Sequence, residues 1–233
     1  MPLRIDFHCH TWFSSDSATP PELLLENARK RGLHGIVITD HDSCLAIQYL
    51  QERQLVRADG MPVDGFLVIP GVEVSTADGH VLCIGVTLSN QWKGRPAIEV
   101  CHAIHEAGGL AIVSHPFDAM RSGVSRVIVD ELPIDALEVF NASSSSSRNR
   151  AAYEYAAQRN LPMVASSDSH VPSTIGISHT ILLTEDLSTQ GVLKQITQKN
   201  ELQQQQAPLW CSVVKPLQVG WRLLRGRDPA GFE

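Results

Sequence analysis

Short apolar runs alternate with helical patterns along the 233-residue chain. The runs are continuous rather than alternating with polar residues, which is typical of strands buried on both faces of a parallel sheet. They cover residues 3–7, 35–39, 66–69, 81–85, 110–113, 136–140, 162–165 and 181–183. Helical patterns follow at 21–31, 43–57, 97–106, 148–159 and 187–197. This rhythm of strand and helix predicts an α/β fold built on a parallel sheet or barrel.

Local signals refine two of the helix boundaries. Thr19-Pro20-Pro21-Glu22 reads as a capping box with proline in the first turn, and Gly32 supplies the stop. The serine run at 143–147 is instead typical of a flexible connection ahead of the next helix. We therefore expect Thr19 to cap the first helix and the serines to stay outside helices.

Residues 201–233 differ in character from residues 1–200, which we predict to form the functional domain. The favoured interpretation is a tail that packs back on the body. The alternative is a basic amphipathic helix that meets a membrane or a partner. Pro216 and Gly220 argue against a long helix there. We therefore expect that removing the chain from Pro208 onward spares the chemistry.

Composition narrows the class of protein. Apolar residues make up 43% and charged residues 19%, as in a globular chain. No apolar run reaches the ~18 residues of a membrane span, no secretory signal is visible, and the five cysteines do not form a disulfide framework. These features predict a cytoplasmic protein with reduced thiols. The net charge of −6 argues against an extended nucleic-acid groove. Nothing in the sequence indicates an oligomeric state.

Metal-capable side chains recur at the ends of the apolar runs. His8 and His10 stand at i and i+2 on an extended segment, so their side chains point the same way and can grip one ion. In a parallel barrel all such strand ends meet on one face. The candidates are His8, His10, Asp16, His41, Glu73, His80, His115, Asp168 and His170. Any one of them can be a helix cap or a hydrogen-bonded residue, but nine together predict a metal centre.

The size and chemistry of this set indicate several ions. A catalytic ion takes about three protein ligands and keeps one position open. Nine candidates therefore suit two or three divalent ions, and imidazole with carboxylate favours Mn, Zn or Fe. The remaining histidines, His34, His102, His105 and His179, do not follow a strand in this way, and we read them as structural or solvated.

The chain resembles the polymerase-and-histidinol-phosphatase (PHP) family of metal-dependent phosphoesterases, in its short single-domain form. The resemblance runs from Ile5 to about Gly176. The motifs that carry it are Asp6-Phe7-His8-Cys9-His10-Thr11, Ser14-Ser15-Asp16-Ser17, Ile38-Thr39-Asp40-His41-Asp42, Pro70-Gly71-Val72-Glu73-Val74-Ser75, His115-Pro116 and Ser167-Asp168-Ser169-His170. The tail from residue 201 matches no motif of the family.

The resemblance implies a distorted (β/α)7 TIM-like barrel with a trinuclear metal site at the C-terminal ends of the strands. It implies three ligand groups: His8, His10, Glu73 and Asp168 for one ion, Glu73, His80 and His115 for a second, and Asp16, His41 and His170 for a third. The spacing between Glu73 and His80 is one that varies within the family. The resemblance also marks Glu73, Asp168 and His41 as essential for catalysis.

The function expected from these residues is hydrolysis of a small phosphomonoester or phosphodiester, with a nucleotide or short oligonucleotide among the candidate substrates. A water held between two ions would ionise near neutral pH and attack in line. Arg121 and Arg148 are candidates for binding the phosphate, because guanidinium matches its geometry. Two alternatives stay open: an amidohydrolase-type C–N hydrolase, and a non-catalytic, metal-stabilised binding module.

Overall fold

The computed structural model describes residues 1–224. Its strands are Leu3–Cys9 (β1), Gly35–Ile38 (β2), Leu67–Ser75 (β3), His80–Ile84 (β4), Leu110–Val113 (β5), Ala136–Asn141 (β6), Met163–Ser166 (β7), His179–Leu182 (β8) and Glu201–Gln203 (β9). Its α-helices are Pro21–Lys30 (α1), Leu45–Glu52 (α2), Ala97–Glu106 (α3), Arg126–Val129 (α4), Ser146–Arg159 (α5), Thr189–Ile196 (α6) and Cys211–Leu224 (α7). Every apolar run singled out in the sequence contributes to a strand.

The strands form one sheet in the order β7-β6-β5-β4-β3-β2-β1-β8-β9. The sheet curls until the end of β7 meets the end of β1, where the amide of His10 donates to the carbonyl of Ser169 at 2.9 Å. Cys9 and Ser169 also form a parallel bridge. The result is a nearly closed barrel with β1 to β7 in its wall, and β8 and β9 extend the sheet beyond it. This confirms the predicted α/β barrel.

Two strands, β4 and β8, depart from the predicted parallel order. β4 is antiparallel to β3 and to β5, because a tight turn at Gly79 folds the chain back as a hairpin. Gly79 has φ of +131°, and a Cβ there would lie 2.6 Å from the carbonyl oxygen of Ser122. The expectation that every strand runs parallel is therefore wrong for β4, and it is also wrong for β8, which pairs antiparallel with β1. The reversal places the start of β4, and so His80, at the same edge as the C-terminal ends of its neighbours.

A buried apolar cluster draws on every strand from β1 to β8. Ile5, Leu67, Leu82 and Val164 are among its members, and α6 adds Val192, Leu193 and Ile196. Because this cluster fills the barrel away from the polar edge, the wall is held rigid beneath the strand ends. Two further clusters pack α1 and α2 on one outer face, and α3 and α5 on another.

Two expected helix starts are wrong in detail. Thr19 does not cap α1; its hydroxyl donates instead to the carbonyl of His170 at 3.0 Å, tying the entry of the helix to the last site motif. The serine run is not a free connection either. Ser145 caps α5 by accepting from the amide of Arg148, and Ser146 and Ser147 form its first turn. In both cases the hydroxyl forms a hydrogen bond with a backbone group that the sequence spacing did not predict.

The tail begins as part of the sheet. β9 pairs antiparallel with β8, and the amide of Ala207 then donates to the carbonyl of Ala142 at 2.7 Å. α7 follows and contains Pro216 within it, so the expectation that Pro216 and Gly220 prevent a longer helix is wrong. Division of the chain at residue 200 stays a prediction. None of the helices in residues 1–224 has the length and apolar character to cross a membrane.

Candidate metal centre

All nine side chains proposed as ligands meet at one end of the barrel. His8 is the penultimate residue of β1, Glu73 lies near the end of β3, and His80 starts β4. The others are on the loops that follow strands β1, β2, β5 and β7: His10, Asp16, His41, His115, Asp168 and His170. Positions separated by up to 162 residues in sequence therefore line one pocket, because parallel strands present their carboxyl ends to the same edge.

Glu73 is at the centre of the group and is 1% exposed. Its Oε2 lies 2.9 Å from Nε2 of His8, 3.2 Å from Nε2 of His10 and 3.4 Å from Nδ1 of His41. Its Oε1 lies 3.0 Å from both Nδ1 of His80 and Nε2 of His115. One carboxylate thus faces five imidazoles, with each oxygen facing a different set. Glu73 would therefore be able to hold divalent ions through both of its oxygens.

A second carboxylate, Asp16, organises the outer side of the cluster. Its Oδ2 lies 2.8 Å from Nε2 of His170 and 3.7 Å from Nε2 of His41. A third, Asp168, lies between the two sides, with Oδ1 3.4 Å from Nε2 of His10 and 3.6 Å from Nε2 of His8. The cluster is therefore continuous from His115 at one side to Asp16 at the other.

Four subsets bring their ligand atoms within 4.8 Å of one another. They are His10, Asp16, His41 and His170; His8, Glu73 and His115; His8, His10 and Asp168; and His41, Glu73 and His80. Each of the four shares at least two members with one of the groups that the resemblance implied. In this geometry, however, His80 groups with His41 and Glu73, whereas the resemblance paired it with His115.

The donor set fits divalent ions. Nε2 of His8 and Nε2 of His10 lie only 3.0 Å apart, so two ring nitrogens converge on one point beside Glu73 and Asp168. Ligand atoms about 2.1 Å from one ion and at right angles to each other are separated by about 3.0 Å. Mixed imidazole and carboxylate donors suit Zn, Mn or Fe. We conclude that these residues support divalent metal binding.

Sequence reasoning missed one buried carboxylate, Glu138 on β6. Its Oε1 lies 3.2 Å from Nδ1 of His8, while its Oε2 accepts from the amide of His115 at 2.6 Å and from Nδ2 of Asn141 at 3.0 Å. Such contacts hold a ligating imidazole in one tautomer and orientation. The signal was present, since Glu138 interrupts an otherwise apolar run, 136–140.

Two aspartates in the recognised motifs act on the backbone instead. Asp6 accepts from the amides of Ser167 at 3.0 Å and Gly176 at 2.8 Å, which fastens β1 to the segment that carries Asp168. Asp40 accepts from the amide and hydroxyl of Thr11, at 2.5 and 2.6 Å. Burial raises the pKa of each aspartate to about 6, against hydrogen bonds that lower it. Both carboxyls therefore position the loops that present ligands.

Two of the candidate ligands have a left-handed backbone conformation. His115 has φ of +29° and Asp168 has φ of +49°, in the left-handed region that side chains with a Cβ rarely adopt. Strained backbone of this kind persists where surrounding contacts enforce it, and it clusters at functional sites. At Asp168 the enforcing contacts include Asn141, whose Nδ2 donates to Oδ2 at 3.2 Å.

The charges in the cluster are strongly coupled. Burial alone lowers the pKa of His10, but hydrogen bonds to Asp168 and Glu73 raise it to about 9. Burial raises the pKa of Glu73, yet His8 and His41 hold it well below its usual range. His41 behaves differently, because desolvation lowers its pKa to about 4. His41 is therefore neutral at neutral pH and offers a lone pair to the cavity.

The cluster opens into two adjoining cavities of about 310 and 750 Å³. The larger is lined by Asp16, His41, Glu73 and other candidate ligands, together with both proposed arginines. Arg121 also lines the smaller cavity, and its Nη1 donates to Oδ2 of Asp168 at 2.6 Å. Arg148 is exposed at the rim. Both arginines thus face the space next to the candidate ligands, and their role in phosphate binding stays a proposal.

The remaining histidines lie outside the cluster. His34 accepts from the amide of Arg4 at 3.0 Å, His105 lies 2.8 Å from Asp135, and His179 bonds to the carbonyl of Gly176 at 2.9 Å. His102 is exposed on α3. These positions agree with the structural or solvated roles predicted for them.

Comparison with known proteins relates this arrangement to a family. The chain is 31% identical over 151 residues to the uncharacterised protein MJ1587 of Methanocaldococcus jannaschii, a match that covers 60% of this chain and 82% of that protein. The profile of a family described as PHP-associated matches residues 146–200, the segment that contains α5 and the Ser167–His170 motif. The chain resembles the PHP family in this profile as well as in its motifs. The resemblance inferred from the six motifs is confirmed.

Solved structures show the PHP-like fold. A two-domain protein of Bacteroides vulgatus, described as containing a predicted PHP-like metal-dependent phosphoesterase, superposes with a TM-score of 0.71 at 20% identity over 88% of this chain. This chain spans 65% of the length of that protein. PsfC from Pseudomonas syringae superposes with a TM-score of 0.71 at 16% identity, over 96% of this chain and 99% of its own. Both likenesses establish the barrel architecture.

Proposed function

We propose that this PHP-like protein is a metal-dependent hydrolase of small phosphate esters, acting on a phosphomonoester or phosphodiester at a site for two or three divalent ions. The observation that carries the proposal is the convergence of nine imidazole and carboxylate side chains, centred on Glu73, at the floor of a cavity that also holds arginine. When bound, divalent ions at such a cluster supply Lewis-acid chemistry: they polarise the ester and lower the pKa of water.

The chain's own residues supply positioning and charge. Glu138 holds His8 by its Nδ1, so that Nε2 faces Glu73 and the cluster. The hydroxyl of Ser114 donates to Oε1 of Glu73 at 3.0 Å, which fixes the central carboxylate on its second side. Since these groups are already hydrogen-bonded in place, little reorganisation is needed when a charged substrate arrives.

The direction of substrate approach follows from exposure. His8, His10 and Glu73 are buried, whereas the side chains of His41 and Asp16 are 20% and 33% exposed. The substrate therefore approaches over the outer side of the cluster, where the cavities lie. There the guanidinium of Arg121 supplies a cation that suits phosphate oxygens. We propose that Arg121 binds the phosphate directly and that Arg148 contributes at the rim.

The decisive experiment is a hydrolysis panel with Mn²⁺-supplemented protein. It contains phosphate monoesters, diesters, nucleotides and dinucleotides, together with amide substrates that test the amidohydrolase alternative. Turnover of a phosphate ester by the wild type and its loss in His41→Ala support the proposal. Turnover confined to the amides supports a C–N hydrolase, and a metal-loaded protein that turns over nothing supports a binding module.

A further inference from the structure

The described part of the C-terminal tail lies over the candidate metal centre. After β9, the hydrogen bond from Ala207 to Ala142 fixes the chain beside the serine loop that precedes α5. Six tail residues then line the 310 Å³ cavity together with residues of that loop: Gln206, Ala207, Pro208, Leu209, Cys211 and Lys215. The tail is thus adjacent to the space that opens from the ligands.

Lys215 on α7 reaches the cluster itself. Its Nζ donates to Oδ2 of Asp16 at 2.7 Å, the oxygen that also faces His170. The Lys215 side chain is 31% exposed and lines both cavities, so its ammonium lies at their junction. An ammonium held at the rim by one carboxylate has already lost rotamer freedom, which lowers the entropic cost of a further contact.

Arg121 resembles Lys215 in its surroundings. It pairs with Asp168 as Lys215 pairs with Asp16, its side chain is 33% exposed, and it also lines both cavities. The hydroxyl residues Ser143 and Ser145 line both cavities as well. Two cations, each paired with a different carboxylate of the cluster, therefore line both cavities.

This arrangement is suited to a phosphate group. A phosphate dianion brought near Glu73, Asp16 and Asp168 meets negative charge that must be offset. An ammonium is a compact point charge with three donors, and hydrogen bonds between ionised partners are about twice as strong as neutral ones. Lys215 and Arg121 together supply two positive charges on the cavity side of the cluster.

We propose that Lys215 binds the phosphate group of the substrate, so that the C-terminal segment from Ala207 to Lys215 is part of the substrate-binding site. The inference rests on the proposed phosphoesterase function for the identity of the anion. It runs against the expectation that the chain from Pro208 onward is dispensable for the chemistry.

The test uses Mn²⁺-loaded full-length protein and inorganic phosphate as the probe. Lys215→Met removes the charge and keeps the length of the side chain. Lys194→Met, on the exposed face of α6, is the matched control. We expect the phosphate dissociation constant from calorimetry to rise about tenfold or more in Lys215→Met and to stay at the wild-type value in Lys194→Met. We expect Lys215→Arg to restore part of the affinity, and all four proteins to contain equal Mn²⁺.

Three results would overturn the inference. Equal phosphate affinity in Lys215→Met and wild type would show that the ammonium does not contact the anion. Tighter phosphate binding would show that Lys215 blocks the site. An additional equivalent of Mn²⁺ in Lys215→Met would show that the ammonium takes the place of an ion at Asp16. Because phosphate binding is measured without turnover, failure of this inference is distinguishable from failure of the hydrolysis panel.

Discussion

Glu138 Oε1 lies 3.2 Å from Nδ1 of His8, and both side chains are completely buried. The pair joins β6 to β1 across 130 residues of sequence. Nδ1 of His8 faces this carboxylate while its Nε2 faces Glu73 at 2.9 Å, so the imidazole is held from both sides. Glu138 therefore determines which nitrogen of His8 is available to a metal ion.

The first prediction concerns this contact. Glu138→Gln keeps the shape of the side chain but removes the charge that stabilises the Nδ1–H tautomer of His8. Loss of such an outer partner typically costs 10–100-fold in metal affinity or activity. We therefore expect Mn²⁺ affinity, measured by competition with a chelating indicator, to fall about 10–100-fold. Glu154→Gln, exposed on α5, is the control. If Glu138→Gln bound Mn²⁺ with wild-type affinity, Glu138 would not be needed to orient His8.

A second prediction tests the bridging role of Glu73. Because each oxygen of Glu73 faces a different set of imidazoles, Glu73→Gln should lose more than one equivalent of metal. His80→Ala should lose no more than one, since His80 contacts a single oxygen of Glu73 at the edge of the cluster. Metal content by mass spectrometry after dialysis gives both values. Equal losses in the two variants would show that Glu73 does not join ions.

Much of the barrel was predictable because its signal is local. Runs such as 110–113 and 136–140 carry buried strands in their composition alone, and the strand ends supplied all nine candidate ligands. The reversed direction of β4 was not predictable, because an apolar run of five residues has the same composition in a parallel and an antiparallel strand. Only Gly79 and the short spacing to β3 hinted at a hairpin.

The contacts that sequence reasoning missed are the long-range ones. Glu138 looked like one polar residue in a strand, because its partner His8 is 130 residues away. Lys215 stood in a segment with no recognisable motif, and its partner Asp16 is 199 residues away. Thr19 had the correct spacing for a helix cap but bonds to His170 instead. In each case tertiary packing, rather than local preference, decides the partner.

A third prediction follows from the charge on the histidines. The pKa of His10 is raised from 6.5 to about 9, mainly by hydrogen bonds to Asp168 and Glu73 that outweigh its burial. A histidine with a raised pKa stabilises the fold fully below pH 6.5, and this contribution is lost as pH rises to about 9. The Tm of chelator-treated protein should therefore fall between pH 6.5 and 9.

The same window distinguishes the metal-loaded protein. Bound Mn²⁺ displaces the protons from His8 and His10, so its binding tightens as pH rises and the fall in Tm is offset. We expect the Tm difference between Mn²⁺-loaded and chelator-treated protein to widen from pH 6.5 to pH 9 in thermal unfolding. A difference that stays constant or narrows would mean that the ions do not replace these protons.

A fourth prediction separates the two arginines. Arg121→Met removes a guanidinium that is already fixed at Asp168, so we expect kcat/KM for the preferred phosphate ester to fall about 10–100-fold, the range for hydrogen bonds to charged groups. Arg148→Met should have a smaller effect, because Arg148 is exposed at the rim. Arg150→Met, further along α5, is the control. A larger loss in Arg148→Met than in Arg121→Met would reverse these assignments.

The final prediction uses the cysteines to probe the wall of the 310 Å³ cavity. Cys9, Cys83 and Cys101 are buried, and burial raises the pKa of Cys83 and Cys101 to about 12, so these thiols should resist alkylation. Cys44 and Cys211 are partly exposed, and Cys211 lines the cavity one helical turn before Lys215. Iodoacetamide at pH 8 should therefore label Cys44 and Cys211 first.

Only the label on Cys211 should affect turnover. A carboxamidomethyl group on Cys211 projects into the space beside Lys215 and Arg121, so turnover of the phosphate ester should fall as that site is modified. In Cys211→Ala the same treatment should label Cys44 and leave turnover unchanged, and inorganic phosphate should slow inactivation of the wild type. Mass spectrometry of peptides links each label to activity. If inactivation persists in Cys211→Ala, modification of another thiol causes it, and the tail residues around Cys211 are not part of the functional site.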